Sequence, residues 1–152
     1  MGLKEKLQAD LTDAIKARNE TKAGTIRMVL AAITTEEVSG KQARVLTDAE
    51  IITVLSREAK KRREAIDAYA AANRADLVAK EKSESDVISA YLPEQLSDSE
   101  IEKLVQDAIS QTGASGPSAM GQVMKFLQPK IAGKADGGKV SAAVRSALIG
   151  GN

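Results

Sequence analysis

Apolar residues recur along this chain at three- and four-residue intervals, the spacing that lines one face of an α-helix. Leu3, Leu7, Leu11 and Ile15 step by four with Ala14 beside them, which predicts a helix over about 3–18. A second helix follows Glu20-Thr21, carries Ile26, Val29, Leu30 and Ile33 on one face, and stops near Gly40. Thr47-Asp48-Ala49-Glu50 reads as a capping box. It opens a long third helix, about 48–72, whose stripe is Ile51, Ile52, Leu55, Ala59, Ile66, Tyr69 and Ala70. A fourth, about 75–91, holds Leu77, Val78, Ile88 and Tyr91 around a polar middle. Pro93 disfavours helix at Leu92, and Ser97-Asp98-Ser99-Glu100 is a second capping box. The helix it opens, about 98–111, turns Ile101, Leu104, Val105, Ala108 and Ile109 inward. After the turn "GASGP" comes a helix of about 118–131 with Met120, Val123, Met124, Leu127 and Ile131 inward. Pro129 should kink or end it. Val140, Val144 and Leu148 mark a last helix, about 139–149.

No stretch alternates as a strand does. The pattern predicts an all-α fold: an N-terminal helical subdomain of about four helices over residues 1–92 and a C-terminal three-helix bundle over 93–152. Pro93 followed by a fresh capping box predicts a hinge at 92–97. Composition agrees with the class. Of 152 residues, 43% are hydrophobic but only Tyr69, Tyr91 and Phe126 are aromatic, so the core must be aliphatic, a palette that favours helices.

The absence of Cys and His excludes thiolate catalysis, zinc sites built on those residues and Ser-His-Asp triads. The remaining pattern offers no catalytic residue, metal ligand set or cofactor motif. A cysteine-free chain whose opening "MGLKEKLQAD" has no apolar run predicts a cytoplasmic protein with no secretory leader. Nothing approaches about 18 consecutive apolar residues, so no membrane partner is expected.

Net charge is only +1, but it is unevenly spread. Residues 94–118 hold five acids against Lys103, a net −4, while residues 119–152 hold Lys125, Lys130, Lys134, Lys139 and Arg145 against Asp136, a net +4. A second basic run is "REAKKRRE", 57–64. Its Arg57, Lys60 and Lys61 point away from the stripe of the third helix and Arg63 flanks it. Arg62 falls on the stripe side, where it must snorkel or pair with an acid. Arg27, flanked by Ile26 and Met28, is expected to do the same.

"GKADGGKVS", 133–141, places Gly133, Gly138 and Lys139 at the spacing of a nucleotide-binding loop. Val140 stands where that loop needs a hydroxyl, and a helix precedes it rather than a strand. The stretch reads instead as a helix stop at Gly133 and an N-cap at Asp136, with a non-catalytic phosphate contact as the alternative. Glu81, Glu84 and Asp86 lie on a polar helix and are expected to be solvated; Met120 and Met124 are expected in the core.

"YLPEQLSDSE" (91–100), "GQVMKFL" (121–127), "GKADGGKVSAAVRSAL" (133–148) and "IRMVLAAI" (26–33) together resemble the YqeY-like proteins of bacteria. These are similar to the C-terminal tail domain of the B subunit of the tRNA-dependent aspartyl/glutamyl amidotransferase. The resemblance implies two helical subdomains and, from the tail, contact with the outer body of tRNA. Gly121 to Lys125 match the tail's helix motif and Gly133 to Ala135 its following turn. Where the tail has Asn-Pro, this chain has Asp136-Gly137. The family label implies a carbon–nitrogen ligase with glutamine as amido donor, but no part of the chain matches the catalytic domains.

The leading expectation is therefore a non-catalytic accessory module that binds tRNA or a tRNA-handling complex. Lys125, Lys134 and Lys139 would contact phosphates, Lys130 and Arg145 would assist, and Arg57, Lys60, Lys61 and Arg63 form a secondary patch. The alternatives are a protein-interaction module without RNA affinity, or an amidotransferase-related ligase.

Overall fold

The structure, a computed structural model, describes residues 2–150. Among them there are seven α-helices and no strand: α1 (Leu3–Lys16), α2 (Glu20–Glu37), α3 (Asp48–Ala71), α4 (Ala75–Ser89), α5 (Asp98–Thr112), α6 (Met120–Ile131) and α7 (Gly137–Gly150). The protein is all-α, as the apolar periodicity predicts. The chain divides into two compact units with the boundary between Leu92 and Pro93.

In the N-terminal unit, Leu7 from α1, Ile26, Val29 and Ile33 from α2, Ile51, Val54 and Leu55 from α3, and Ile88 from α4 form one buried aliphatic cluster. Fully burying a side chain of this size stabilises by about 1.5–3 kcal/mol, so these positions hold the four helices together. Leu46, in the loop before α3, joins the cluster although no helical period marks it. Its loop is tied by Glu37: one carboxylate oxygen accepts from Lys4 Nζ at 2.7 Å and the other from the Leu46 amide at 3.3 Å. Ile15, placed inward by its four-residue spacing, is instead 49% exposed. Steps of four overrun the 3.6-residue turn, so the ladder drifts about 40° per step and by Ile15 has rotated off the core.

In the C-terminal unit, α5, α6 and α7 bury Ile101, Val105 and Ala108, then Val123, Leu127 and Ile131, then Val140, Val144 and Leu148. Met120 and Met124 pack against this cluster, in keeping with their expected core role. Both capping boxes form: the Thr47 and Ser97 side chains each accept from the backbone of the glutamate three residues on, which reaches back in return. A 3-10 turn, Pro117–Ala119, leads into α6. Pro129 lies within α6, which ends at Ile131 after it, so the proline marks the helix end rather than a kink part-way along.

The segment before α5 is held tightly. Gln95 Nε2 donates to the Gly133 carbonyl at 2.8 Å and the Leu96 amide donates to the Lys134 carbonyl at 2.8 Å. These bonds fix residues 95–96 within the C-terminal unit. Any hinge in the 92–97 stretch is confined to the residues before Gln95.

Candidate nucleic-acid interface

The turn between α6 and α7 follows from its residues. Gly133 has φ 73°, a left-handed conformation that costs glycine nothing and ends α6. Asp136 Oδ1 accepts from the Gly138 amide at 3.0 Å, the geometry of an N-cap for α7. Both readings of this stretch as a helix joint hold. The Asp136 carboxylate takes a backbone donor that a phosphate would need.

Lys125 on α6, Lys134 in the turn and Arg145 on α7 are exposed, and their side chains make no hydrogen bond or ion pair among the described residues. Lys130 lies over the Phe126 ring with its Nζ 4.7 Å from the centroid. Lys139 is engaged differently: its Nζ pairs with Asp98 Oδ1 in the first turn of α5. A cation in the first turn of α7 is disfavoured by the helix dipole, and Asp98 supplies its countercharge. The secondary patch is largely neutralised from within. Arg57 pairs with Glu36 at 3.1 Å and Lys61 with Glu58 at 3.1 Å. Lys60 is exposed, and Arg63 is exposed and has interactions of its own.

One expectation about charge is corrected. Glu81 and Glu84 are not solvated: their side chains are 13% and 17% exposed and face Arg62, itself 14% exposed. Arg62 Nη1 lies 3.5 Å from Glu81, Nε 3.3 Å from Glu84 and Nη2 3.9 Å from Glu58, while Nη2 also donates to Met28 Sδ at 3.0 Å. The guanidinium on the stripe of α3 thus draws two glutamates of α4 inward. Arg62 Nε and Glu81 Oε2 remain buried without a hydrogen bond of good geometry. Arg27 is exposed and has no acid partner among the described residues, which fits snorkelling rather than pairing of its two expected fates.

Tyr91 explains the start of the "YLPEQL" motif. Its hydroxyl donates to Asp10 Oδ2 at 2.6 Å, and Lys6 reaches the same carboxylate at 2.9 Å. Burial, reinforced by the carboxylate, pushes the phenol well above its ordinary range, while the Tyr91 hydroxyl and then Lys6 hold Asp10 low. Glu37, Glu50, Asp76 and Glu100 are also held low, first by Lys4, the Thr47 amide, Arg74 and the Ser97 hydroxyl respectively. Each carboxyl with a clear shift is therefore held ionised by a structural partner. Among the described residues no group of three or more His, Cys, Asp or Glu is arranged to hold a metal ion, and no helix is long and apolar enough to cross a membrane.

The protein family described as Yqey-like protein matches residues 4–148, nearly the whole chain. The chain belongs to the YqeY-like family. Among curated relatives, "Altered inheritance of mitochondria protein 41, mitochondrial" of Pyrenophora tritici-repentis is 31% identical over 86% of this chain and 71% of its own length. Its namesake in Saccharomyces cerevisiae is 34% identical over 63% of this chain and 51% of its own length. An uncharacterised protein of Schizosaccharomyces pombe is 34% identical over 60% of this chain and 72% of its own length. Two of these YqeY-like relatives are named as mitochondrial, which overturns the cytoplasmic expectation. That expectation rested on a lack of Cys and of an apolar leader. Organelle transit segments are amphipathic rather than apolar, so the test could not discriminate.

Within the YqeY-like fold, the motif "YLPEQLSDSE" has structural work: Tyr91 binds Asp10, Gln95 and Leu96 bind the α6–α7 turn, and Ser97 with Glu100 caps α5. The charge free of such duties lies elsewhere, on α6, the following turn and α7.

Proposed function

We propose that this YqeY-like protein is a non-catalytic accessory module that binds tRNA, alone or within a tRNA-handling complex, through the basic surface of its C-terminal unit. The observation that carries the reading is the set of exposed cations at Lys125, Lys134 and Arg145 that have no acid partner among the described residues. An unneutralised basic surface is the electrostatic footprint of a polyanion partner. Lys130 assists from its place over Phe126, and Lys139 contributes once it is released from Asp98. The Arg57–Arg63 patch ranks lower because its charges are largely paired. Recognition works by shape and phosphate contact, since three aromatics provide little stacking surface. The absence of Cys and His, and carboxylates held ionised by structural partners, support the non-catalytic part.

The test is tRNA binding by the full chain across a salt series, for wild type and a Lys125→Ala, Lys134→Ala, Arg145→Ala variant. Each lost phosphate contact should reduce the slope of log K against log salt by about 0.7–0.9. The variant should keep its melting temperature, because none of the three positions is in the core cluster. Wild type without tRNA affinity at low salt defeats the RNA reading and leaves a protein-interaction module. A variant that binds as well as wild type moves the interface to Arg57, Lys60, Lys61 and Arg63.

A further inference from the structure

Seven arginines lie in the N-terminal unit, and five are engaged: Arg44 with Glu50, Arg57 with Glu36, Arg62 with its glutamates, Arg74 with Asp76, and Arg63 through contacts of its own. The other two, Arg18 and Arg27, have side chains without an ion pair or hydrogen bond among the described residues, and both line the same concavity beside the α1–α2 turn. It has a volume of about 460 Å³, within the usual range of binding pockets. Buried Ala14 and Ala23 also line it, with the half-exposed Ile15 at the wall and Glu20 contributing the one carboxylate.

Arg18 is held there at a cost. It has φ 56°, the left-handed region, at the end of α1. The corresponding positions after α3, α5 and α6 carry Asn73, Gly113 and Gly133, residue types that adopt this conformation with little or no strain. An arginine in the same position brings a side chain that a cap does not need. The backbone start of α2 is a separate matter, because Asn19 Oδ1 already caps it through the Lys22 amide at 3.1 Å.

We propose that this concavity docks an acidic, aliphatic segment of a partner protein, one aliphatic side chain seated against Ile15, Ala14 and Ala23 and two flanking carboxylates taken by Arg18 and Arg27. Charge complementarity carries the assignment: two unneutralised guanidiniums offer forked donors that match carboxylates. Aliphatic walls favour a Leu or Ile over a nucleobase, and Tyr69, Tyr91 and Phe126 all lie outside the lining. The surface belongs to the N-terminal unit, so it stands or falls independently of the C-terminal RNA reading.

The test uses the full chain and labelled synthetic peptides in which Leu or Ile is flanked by two Glu at varied spacings. A matched set carries Lys for Glu, and a single-stranded RNA is run beside both. Wild type should bind members of the Glu set and none of the Lys set. Arg18→Gly and Arg27→Ala should each weaken that binding by about tenfold or more. Arg18→Gly should at the same time melt higher than wild type, since glycine removes the left-handed strain, and Arg27→Ala should melt unchanged. Loss of binding together with a gain in stability cannot come from unfolding. The proposal is overturned if no Glu peptide binds, if Lys peptides bind equally, or if RNA alone binds in a manner that depends on Arg18 and Arg27.

Discussion

In the N-terminal unit an arginine and three glutamates are drawn largely out of water between α3 and α4, a carboxylate anchors the loop before α3, and a tyrosine is tied to Asp10. In the C-terminal unit the interior is aliphatic throughout, and among the described residues five of the six cations, all exposed, make no ion pair, Lys139 with Asp98 being the exception. Buried charge is committed to the fold and is a poor candidate for ligand binding. Charge left outside contributes little to stability and is free for a partner. The two units therefore call for different experiments: charge changes in the first should read out as stability, and in the second as binding.

The largest effect that sharpens this contrast is expected from Arg62→Ala. Removing one partner of a buried ion cluster leaves the others uncompensated and costs about 3–5 kcal/mol. Both tyrosines lie in the N-terminal unit, so tyrosine fluorescence during urea unfolding reports on that unit alone. Its midpoint should fall steeply while the methyl resonances of Val144 stay in place; an unchanged midpoint would break the comparison. Leu127→Ala is the converse. Leu127 is fully buried in the C-terminal cluster, and the cavity costs about 2–5 kcal/mol. The Val144 methyls should broaden or shift with the tyrosine signal intact. Ser97→Ala removes the cap of α5 and should cost about 1 kcal/mol, seen as faster amide exchange in the first turn of that helix.

The smallest effect per residue concerns pH. Asp10, Glu37, Glu50 and Asp76 in the N-terminal unit, and Glu100 in the other, are held below their ordinary values of 3.8 for Asp and 4.5 for Glu. A carboxyl depressed in the folded state adds stability that is complete above its ordinary value and is lost as pH falls through the folded one. Acidification below about pH 4.5 should therefore loosen the N-terminal unit before the C-terminal one. Equal acid midpoints by tyrosine fluorescence and Val144 resonances would show that these contacts carry no net stabilisation.

The helices were legible because the apolar period is strong where cores form: 101, 105 and 108, then 123, 127 and 131, then 140, 144 and 148 recur on one face each. The two capping boxes fixed helix starts to the residue. Where the reading failed, the deciding partner lay far along the chain. Glu81 and Glu84 look like a wetted face until the guanidinium of Arg62 on the neighbouring helix is known. Lys139 looks free until Asp98 is placed beside it. Arg62 could be singled out because a charged residue on an apolar stripe demands an explanation. Arg18 could not, because nothing in a single sequence announces a left-handed arginine.

The bonds from Gln95 and Leu96 to the Gly133 and Lys134 carbonyls decide where the C-terminal half can be cut free. A fragment starting at Ser97 retains α5, α6 and α7 but strips two carbonyls of their donors, at the turn that presents Lys134. A fragment starting at Pro93 keeps both bonds. As an excisable module, the last three helices begin four residues earlier than their capping box suggests, and the "PEQL" stretch belongs to the piece that is removed.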